Sequence, residues 1–205
     1  MKSLFPLLLS FFLVIAAFPL RGDTFSFKAD RMSGGRATGR EITVLSGNAE
    51  VLSDKLLLQA ERIEIQGSDN RFIYCSGNVQ GHETDKDIFF RTDRLRYDRT
   101  LKIARLEGNS TLEDRKNEIV ARGRFIEYND QQEIAVLQIS VRLFKDNLVC
   151  RSEYAIYRRI EKTLALTGFP VVYKKDDEFR AERMRVDLNT DDVVMEGDVK
   201  GSIKN

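Results

Sequence analysis

A short signature recurs along this chain at nearly fixed intervals. An apolar residue stands two places before a glycine, usually followed by Asn or Asp: Leu45-Ser-Gly47-Asn48, Cys75-Ser-Gly77-Asn78, Leu106-Glu-Gly108-Asn109, Leu166-Thr-Gly168-Phe169 and Met195-Glu-Gly197-Asp198. Leu137-Gln-Ile139-Ser140 fills the one gap without a glycine. The column falls at 47, 77, 108, 139, 168 and 197, with spacings of 30, 31, 31, 29 and 29. A second signature interleaves with the first: a small residue, an acid, often Arg, then an apolar residue. It reads Ala29-Asp-Arg-Met32, Ala60-Glu-Arg-Ile63, Thr92-Asp-Arg-Leu95 and Ala181-Glu-Arg-Met184, with weaker copies starting at Ala121 and Ser152. Two residues before each small position stand Phe27, Leu58, Phe90, Ile119, Cys150 and Phe179. Five after it, apart from the first copy, stand Ile65, Tyr97, Ile126, Tyr157 and Val186. A repeat of this period is one supersecondary unit that cannot bury its own apolar face, so copies must stack.

The local chemistry is that of strands. Apolar and polar residues alternate with period two, as in Leu101-Lys-Ile-Ala-Arg-Leu106, and no useful helical period appears after residue 23. Polar clusters such as Ser68-Asp-Asn-Arg71, Asp98-Arg-Thr100 and Asn129-Asp-Gln-Gln132 mark turns. Leu58 and Ala60 share one parity while Ile63 and Ile65 share the other, so the chain must bend or bulge between Ala60 and Ile63. The glycine columns mark a second tight place. The expected fold is all-β, an elongated twisted stack of two-strand repeats of about 30 residues with an apolar interior and roughly eleven strands.

Composition removes several classes of function. Lys+Arg number 33 against 32 Asp+Glu, scattered along the chain, which argues against a nucleic-acid partner. With a single His, the chain has few routes to acid–base or His-metal chemistry. His82 falls in Gly81-His-Glu-Thr-Asp-Lys-Asp87, which reads as a solvated hairpin tip. Neither a nucleophile elbow nor a phosphate-binding glycine loop is present, and the chain reads as a non-enzyme without cofactor or metal. The Arg, Asp and Glu columns read as charge ladders on a solvated outer face. Cys75 and Cys150 sit in apolar columns about two repeats apart, too many strand steps for a disulfide, and read as buried thiols.

The first residues read as an address. Lys2 is followed by the uncharged apolar run Leu4–Leu20, and polar residues begin at Arg21-Gly-Asp23. This is the pattern of a secretory signal peptide over residues 1–22, leaving a domain over 23–205 in the periplasm; an uncleaved membrane anchor is the alternative.

The paired signatures, Ala-Asp/Glu-Arg-apolar on one strand and apolar-x-Gly-Asn-Val on the next, resemble the OstA-like (LptA) family of periplasmic lipopolysaccharide-transport proteins. Arg94-Leu-Arg-Tyr-Asp98 leading to Leu106-Glu-Gly-Asn109 carries the likeness most closely, and it extends over residues 25–203. The chain departs from the pattern at Arg122-Gly123, Ile139 and Phe169-Pro170. The resemblance implies a twisted β-jellyroll, open along one side, that holds acyl chains of lipopolysaccharide or a related glycolipid. It also implies contact with related jellyroll proteins of the inner and outer membranes. The interior columns Leu45, Leu58, Ile63, Phe90, Leu95, Leu106, Ile119, Leu137, Leu166, Phe179, Met184 and Met195 are then the lipid-contact candidates, although a closed core would use the same residues. A membrane-anchored adaptor of the same pathway and an adhesive envelope repeat without cargo are alternatives. The repeat starts on a small-residue strand bearing Phe27, Ala29 and Met32 and finishes on a glycine strand bearing Val193, Met195 and Val199. Complementary edges of that kind predict head-to-tail association.

Overall fold

The phase change in each strand is the feature on which the fold turns. A computed structural model describes residues 25–37 and 40–204; the expected export segment, 1–22, lies outside the described residues. The chain runs through β1 (Phe25–Lys28) and β2 (Arg31–Ala37) into the long strands β3 (Arg40–Ser53), β4 (Leu56–Gln66), β5 (Phe72–Glu83) and β6 (Ile88–Asp98). It continues through β7 (Ile103–Asp114), β8 (Ile119–Asn129), β9 (Ile134–Lys145) and β10 (Leu148–Arg158). Shorter pieces follow: β11 (Thr163–Thr167), β12 (Val171–Lys174), β13 (Asp177–Arg180), β14 (Arg183–Asp187), β15 (Val193–Glu196) and β16 (Lys200–Ser202). Among the described residues the sixteen strands form one antiparallel sheet. They exceed the expected number because the outer passages of the chain are cut in two at the bend, as β1/β2, β11/β12, β13/β14 and β15/β16.

In β4, Leu56, Leu58 and Ala60 point inward, Glu61 and Arg62 are both exposed, and Ile63 and Ile65 point inward again. The register slips at the corresponding place in successive pairs: Ser46/Ala49, Gln59/Arg62, Ser76/Val79, Arg91/Arg94, Glu107/Ser110 and Ser152/Tyr154. Bulges aligned across a sheet bend every strand along one line. The sheet therefore folds on itself into two facing walls, a twisted all-β jellyroll. The path spans twelve strands, roughly 50 Å at about 4.8 Å per step. The first wall holds β1, β12, β13, β16 and the halves around Leu58, Phe90, Leu112 and Cys150. The second holds β2, β11, β14, β15 and the halves around Ile63, Leu95, Leu106 and Leu137.

The two signatures meet at this corner. Gly77 takes φ +78°, and a Cβ there would lie 2.4 Å from the Glu61 Oε2, so no other residue fits without displacing the acid. Asn78 follows at φ 49°, a conformation Asn tolerates, and its amide donates to Glu61 Oε1 at 2.6 Å. Asn48 donates to Asp30 at 3.0 Å, and the Asn109 N–H to Asp93 at 3.0 Å. The acid of the second signature thus satisfies the bulge of the first, rather than belonging to a solvated charge ladder.

One copy departs from the expected frame. On β8 the small residue is Gly123, opposite Ser110, and not Ala121. Ile126 consequently pairs with Leu106 and Leu137, and Tyr128 instead joins the column of Tyr97 and Tyr157. Ala121 faces Leu112 and Leu143, and Ile119, still buried, faces Asp114 at the end of the strand. The physical reason is that the glycine has changed strands. Gly123 accommodates the close approach of the Gln138 carbonyl, where a Cβ would lie at 3.2 Å. Ile139 and Ser140 then take the left-handed conformation themselves, at φ 66° and 57°.

Side-chain size alternates inside. From β6 to β10 one inner column of the second wall reads Tyr97, Ala104, Tyr128, Ala135, Tyr157. Tyr128 lies between two alanines, and Tyr97 and Tyr157 each have one alanine neighbour, with Ile73 and Leu164 on their other sides, which lets a narrow interior pack at crystal-like density.

Candidate functional site

Each wall ends in a row of hairpin turns, and the two rows face each other across the mouth of the fold. From sequence these turns are expected to be solvated. In the structure the inward period of two continues past the last apolar column, so that Arg99 follows Tyr97, Asp130 follows Tyr128 and Arg159 follows Tyr157. These side chains reach the opposite row. Arg99 Nε donates to Ser53 Oγ at 2.7 Å, and Lys102 pairs with Asp54. Lys86 lies 2.7 Å from Asp130 and 3.3 Å from Glu133. Arg159 Nε donates to Asp114 Oδ2 at 2.8 Å and its Nη1 to Glu133 at 2.6 Å. Lys145 stands 3.7 Å from Asp191, and Lys174 Nζ donates to the Asp191 carbonyl at 3.1 Å. Four polar clasps therefore join the walls at successive turns.

The third clasp is the most deeply buried. Asp114 is fully buried and also accepts from Tyr157 OH at 2.9 Å and Asn117 Nδ2 at 2.7 Å. Burial pushes the Tyr157 phenol upward, and the Asp114 charge pushes it the same way. Burial alone would raise Glu133; the hydrogen bond from Arg159 and the charge of Lys86 outweigh it and hold the carboxyl below its ordinary value.

Between the first and second clasps the walls part. A cavity of about 260 Å³ opens there, with Leu56, Ile88, Phe90 and Leu112 on the first wall and Tyr97, Ala104, Leu106 and Tyr128 on the second. Asp54, Lys55, Glu83, Lys102 and Asp130 ring its mouth. The Tyr128 hydroxyl is buried with no hydrogen-bond partner among the described residues. Burial pushes the Tyr97 and Tyr128 phenols well above their ordinary value, with Asp130 the next cause for each. An apolar floor under a charged rim suits a ligand that is greasy at one end and polar at the other.

Of the lipid-contact candidates, Phe90 and Leu106 line this cavity. Leu45, Leu58, Ile63, Leu95, Ile119, Leu137, Leu166 and Met184 are buried in the interior, while Phe179 and Met195 are partly buried and pack against it. At the edges, Phe27 and Met32 are largely exposed, and Ala29 and Val193 are partly buried. Val199 is exposed but stands at the corner between β15 and β16, not within a strand. Cys75 and Cys150 are free, buried and on opposite walls, and burial pushes both thiols up to about 12. His82 is not at a hairpin tip. It lies in β5, its ring stacked on Phe89 at 3.8 Å, because the turn itself begins only after Glu83. No group of residues fit to hold a metal occurs among the described residues, and none of their helices is long and apolar enough to cross a membrane.

No family model matches the chain, and no curated protein matches its sequence. Among solved structures, the chain is similar to LptH, the LptA homologous periplasmic component of the lipopolysaccharide transport device of Pseudomonas aeruginosa. That likeness covers 89% of this chain and 96% of that chain, at 11% identity and a TM-score of 0.28.

Proposed function

We infer that this protein carries an envelope lipid, a lipopolysaccharide or related glycolipid, with an acyl chain inserted between the two walls. The observation that supports the reading is the apolar cavity between the Asp54–Lys102 pair and Asp130, set in an otherwise polar row of turns. Its volume of about 260 Å³ lies just below the ~300–1,000 Å³ of whole-ligand sites, so it suits part of a lipid. A longer insertion requires the neighbouring clasps to part, and side-chain ion pairs part more readily than a hydrogen-bonded sheet. The same reading places the mature chain in the periplasm between related jellyrolls of the two membranes. Head-to-tail association fits the ends: β1 and β2 pair with β3 alone, and β15 with β14 alone, among the described residues.

Mass spectrometry of an organic extract of the purified mature protein tests the reading. A stoichiometric glycolipid is expected, and it should fall sharply in Ala104→Trp, which fills the cavity. An extract free of lipid, together with no uptake of a fluorescent fatty acid by the folded protein, sinks it. The tight closure of the interior elsewhere favours the second reading, a structural repeat without cargo, and that result would establish it.

A further inference from the structure

The outer faces of the two walls both carry exposed arginines, with different partners. On the second wall Arg62, Arg94, Arg105 and Arg183 each reach a carboxylate, at Glu64, Glu107, Glu127 and Glu196, 2.6–3.3 Å away. On the first wall the register instead places Arg122 directly opposite Arg142, and Arg142 directly opposite Arg151, on β8, β9 and β10. Arg91 stands in the same row beyond Thr111, and Arg180 and Lys200 beyond Val171. Arg91, Arg122, Arg142 and Arg151 are exposed, and no carboxylate of the described residues lies within 4.0 Å of their guanidinium nitrogens. Like charges facing each other across neighbouring strands are destabilising. Arg96 and Arg105 face each other on the second wall too, but Glu127 stands beside Arg105. On the first wall Arg180 and Lys200 pair with Glu178 and Asp198, while the three adjacent arginines at strand spacing, about 4.8 Å, have no such carboxylate.

The guanidinium groups are also held in place. Arg122 lies 5.3 Å above the Phe144 ring, Arg151 5.1 Å above Tyr173, and Arg115 3.6 Å above Phe89. An aromatic shelf thus runs beside the row and keeps the cations spread over the surface. Next to the shelf the face dips into a depression of about 420 Å³, floored by Gly81 and Phe90 and edged by Arg91, Arg115 and Arg122. Glu113, which pairs with Arg115 at 2.8 Å, is the carboxylate on its rim.

We propose that the outer face of the first wall is a binding site for a ligand bearing two or more phosphate groups. A carboxylate offers two oxygens in one plane and is saturated by a single guanidinium fork. A phosphate offers three acceptor oxygens in three directions and bridges two neighbouring guanidiniums. Three adjacent arginines therefore match a pair of phosphates better than an acidic peptide. The ligand lies flat, since the apolar side chains on this face, Phe89, Val120, Phe144 and Tyr173, are half-buried under the arginines and offer nothing to insert. The site is on the outside of the wall, so its occupancy is independent of lipid in the interior.

The test uses the full mature chain with inorganic tripolyphosphate, with phosphatidylglycerol and phosphatidylcholine vesicles, and with poly-glutamate. Tripolyphosphate should bind and raise the melting temperature, and binding should weaken steeply with salt. Arg122→Gln/Arg142→Gln/Arg151→Gln should lose about a hundredfold in affinity for an anionic surface, while melting no lower than the parent. Arg94→Gln/Arg105→Gln/Arg183→Gln changes net charge equally on the other wall and should bind as the parent does. Arg142→Gln alone, at the centre of the row, serves if the triple variant does not fold. Binding to phosphatidylglycerol vesicles as well as tripolyphosphate identifies a lipid headgroup as the source; binding to tripolyphosphate alone identifies a soluble phosphorylated ligand. The proposal is overturned if the parent binds neither, if poly-glutamate binds as tightly as tripolyphosphate, or if the two triple variants behave alike.

Discussion

Replacing Asp114 by asparagine keeps the volume of a fully buried side chain and removes its charge. The carboxylate accepts from Arg159 Nε at 2.8 Å, Tyr157 OH at 2.9 Å and Asn117 Nδ2 at 2.7 Å. All three donors reach Oδ2, so an amide keeps its oxygen there and turns its NH2 toward the donors at the Oδ1 place, Arg159 Nη2 at 3.4 Å and the Asn117 N–H at 3.3 Å. Loss of a charge-assisted hydrogen bond is worth roughly 1.5–3 kcal/mol, and breaking a buried ion pair outright costs about 3–5 kcal/mol. Arg159 is not left bare, because Glu133 still accepts from it at 2.6 Å. That places the loss near the lower end, about 3 kcal/mol. With urea m-values of about 1–3 kcal/mol/M, the unfolding midpoint should fall by roughly 1–3 M. Urea denaturation followed by circular dichroism measures it. A double-mutant cycle with Arg159→Met should return a coupling of about 1–3 kcal/mol. A coupling indistinguishable from zero would refute the claim that this clasp ties the walls together.

Ile139 is half-exposed and holds φ 66°, which a β-branched residue adopts at a cost of about 1–2 kcal/mol. Allowing for the extra backbone freedom of glycine, Ile139→Gly should stabilise by about 0.5–1 kcal/mol in the same urea assay, and a loss would contradict the corner geometry. Glu133 gives a pH dependence of defined sign. Its folded-state carboxyl is held below the ordinary value, so its contribution is complete above the unfolded pKa of about 4.3 and is lost as pH falls through the folded one. The urea midpoint should therefore drop below pH ~4, less so in Glu133→Gln; equal slopes in parent and variant would exclude Glu133 as the cause. The thiols of Cys75 and Cys150, buried and pushed up to about 12, should resist a thiol reagent at mildly alkaline pH until the protein unfolds, and reductant should leave the melting temperature unchanged. Rapid native-state labelling of either would show that its column is open to solvent.

The sequence by itself determined the all-β class, the phase change between Ala60 and Ile63, and the inward columns. A period of two and a glycine at fixed spacing are local properties that require no knowledge of which strands pair. It also placed Cys75 and Cys150 correctly, since a residue in an apolar column is buried with that column. Register is different, because it is set by hydrogen bonds between strands. Only the tertiary structure showed that Gly123 and not Ala121 is the small residue of β8, since the choice rests on which of them faces Ser110. The clasps were hidden for a related reason: Arg159 reaches Asp114 across 45 residues and two walls, and a turn residue reads as solvated until a second turn is seen opposite it. The cavity is likewise a gap between two such contacts. The arginine row shows the limit most plainly. Arg122, Arg142 and Arg151 are unremarkable apart in the sequence, and their charges matter because antiparallel pairing sets them side by side, where Coulomb repulsion depends on distance in space and not along the chain.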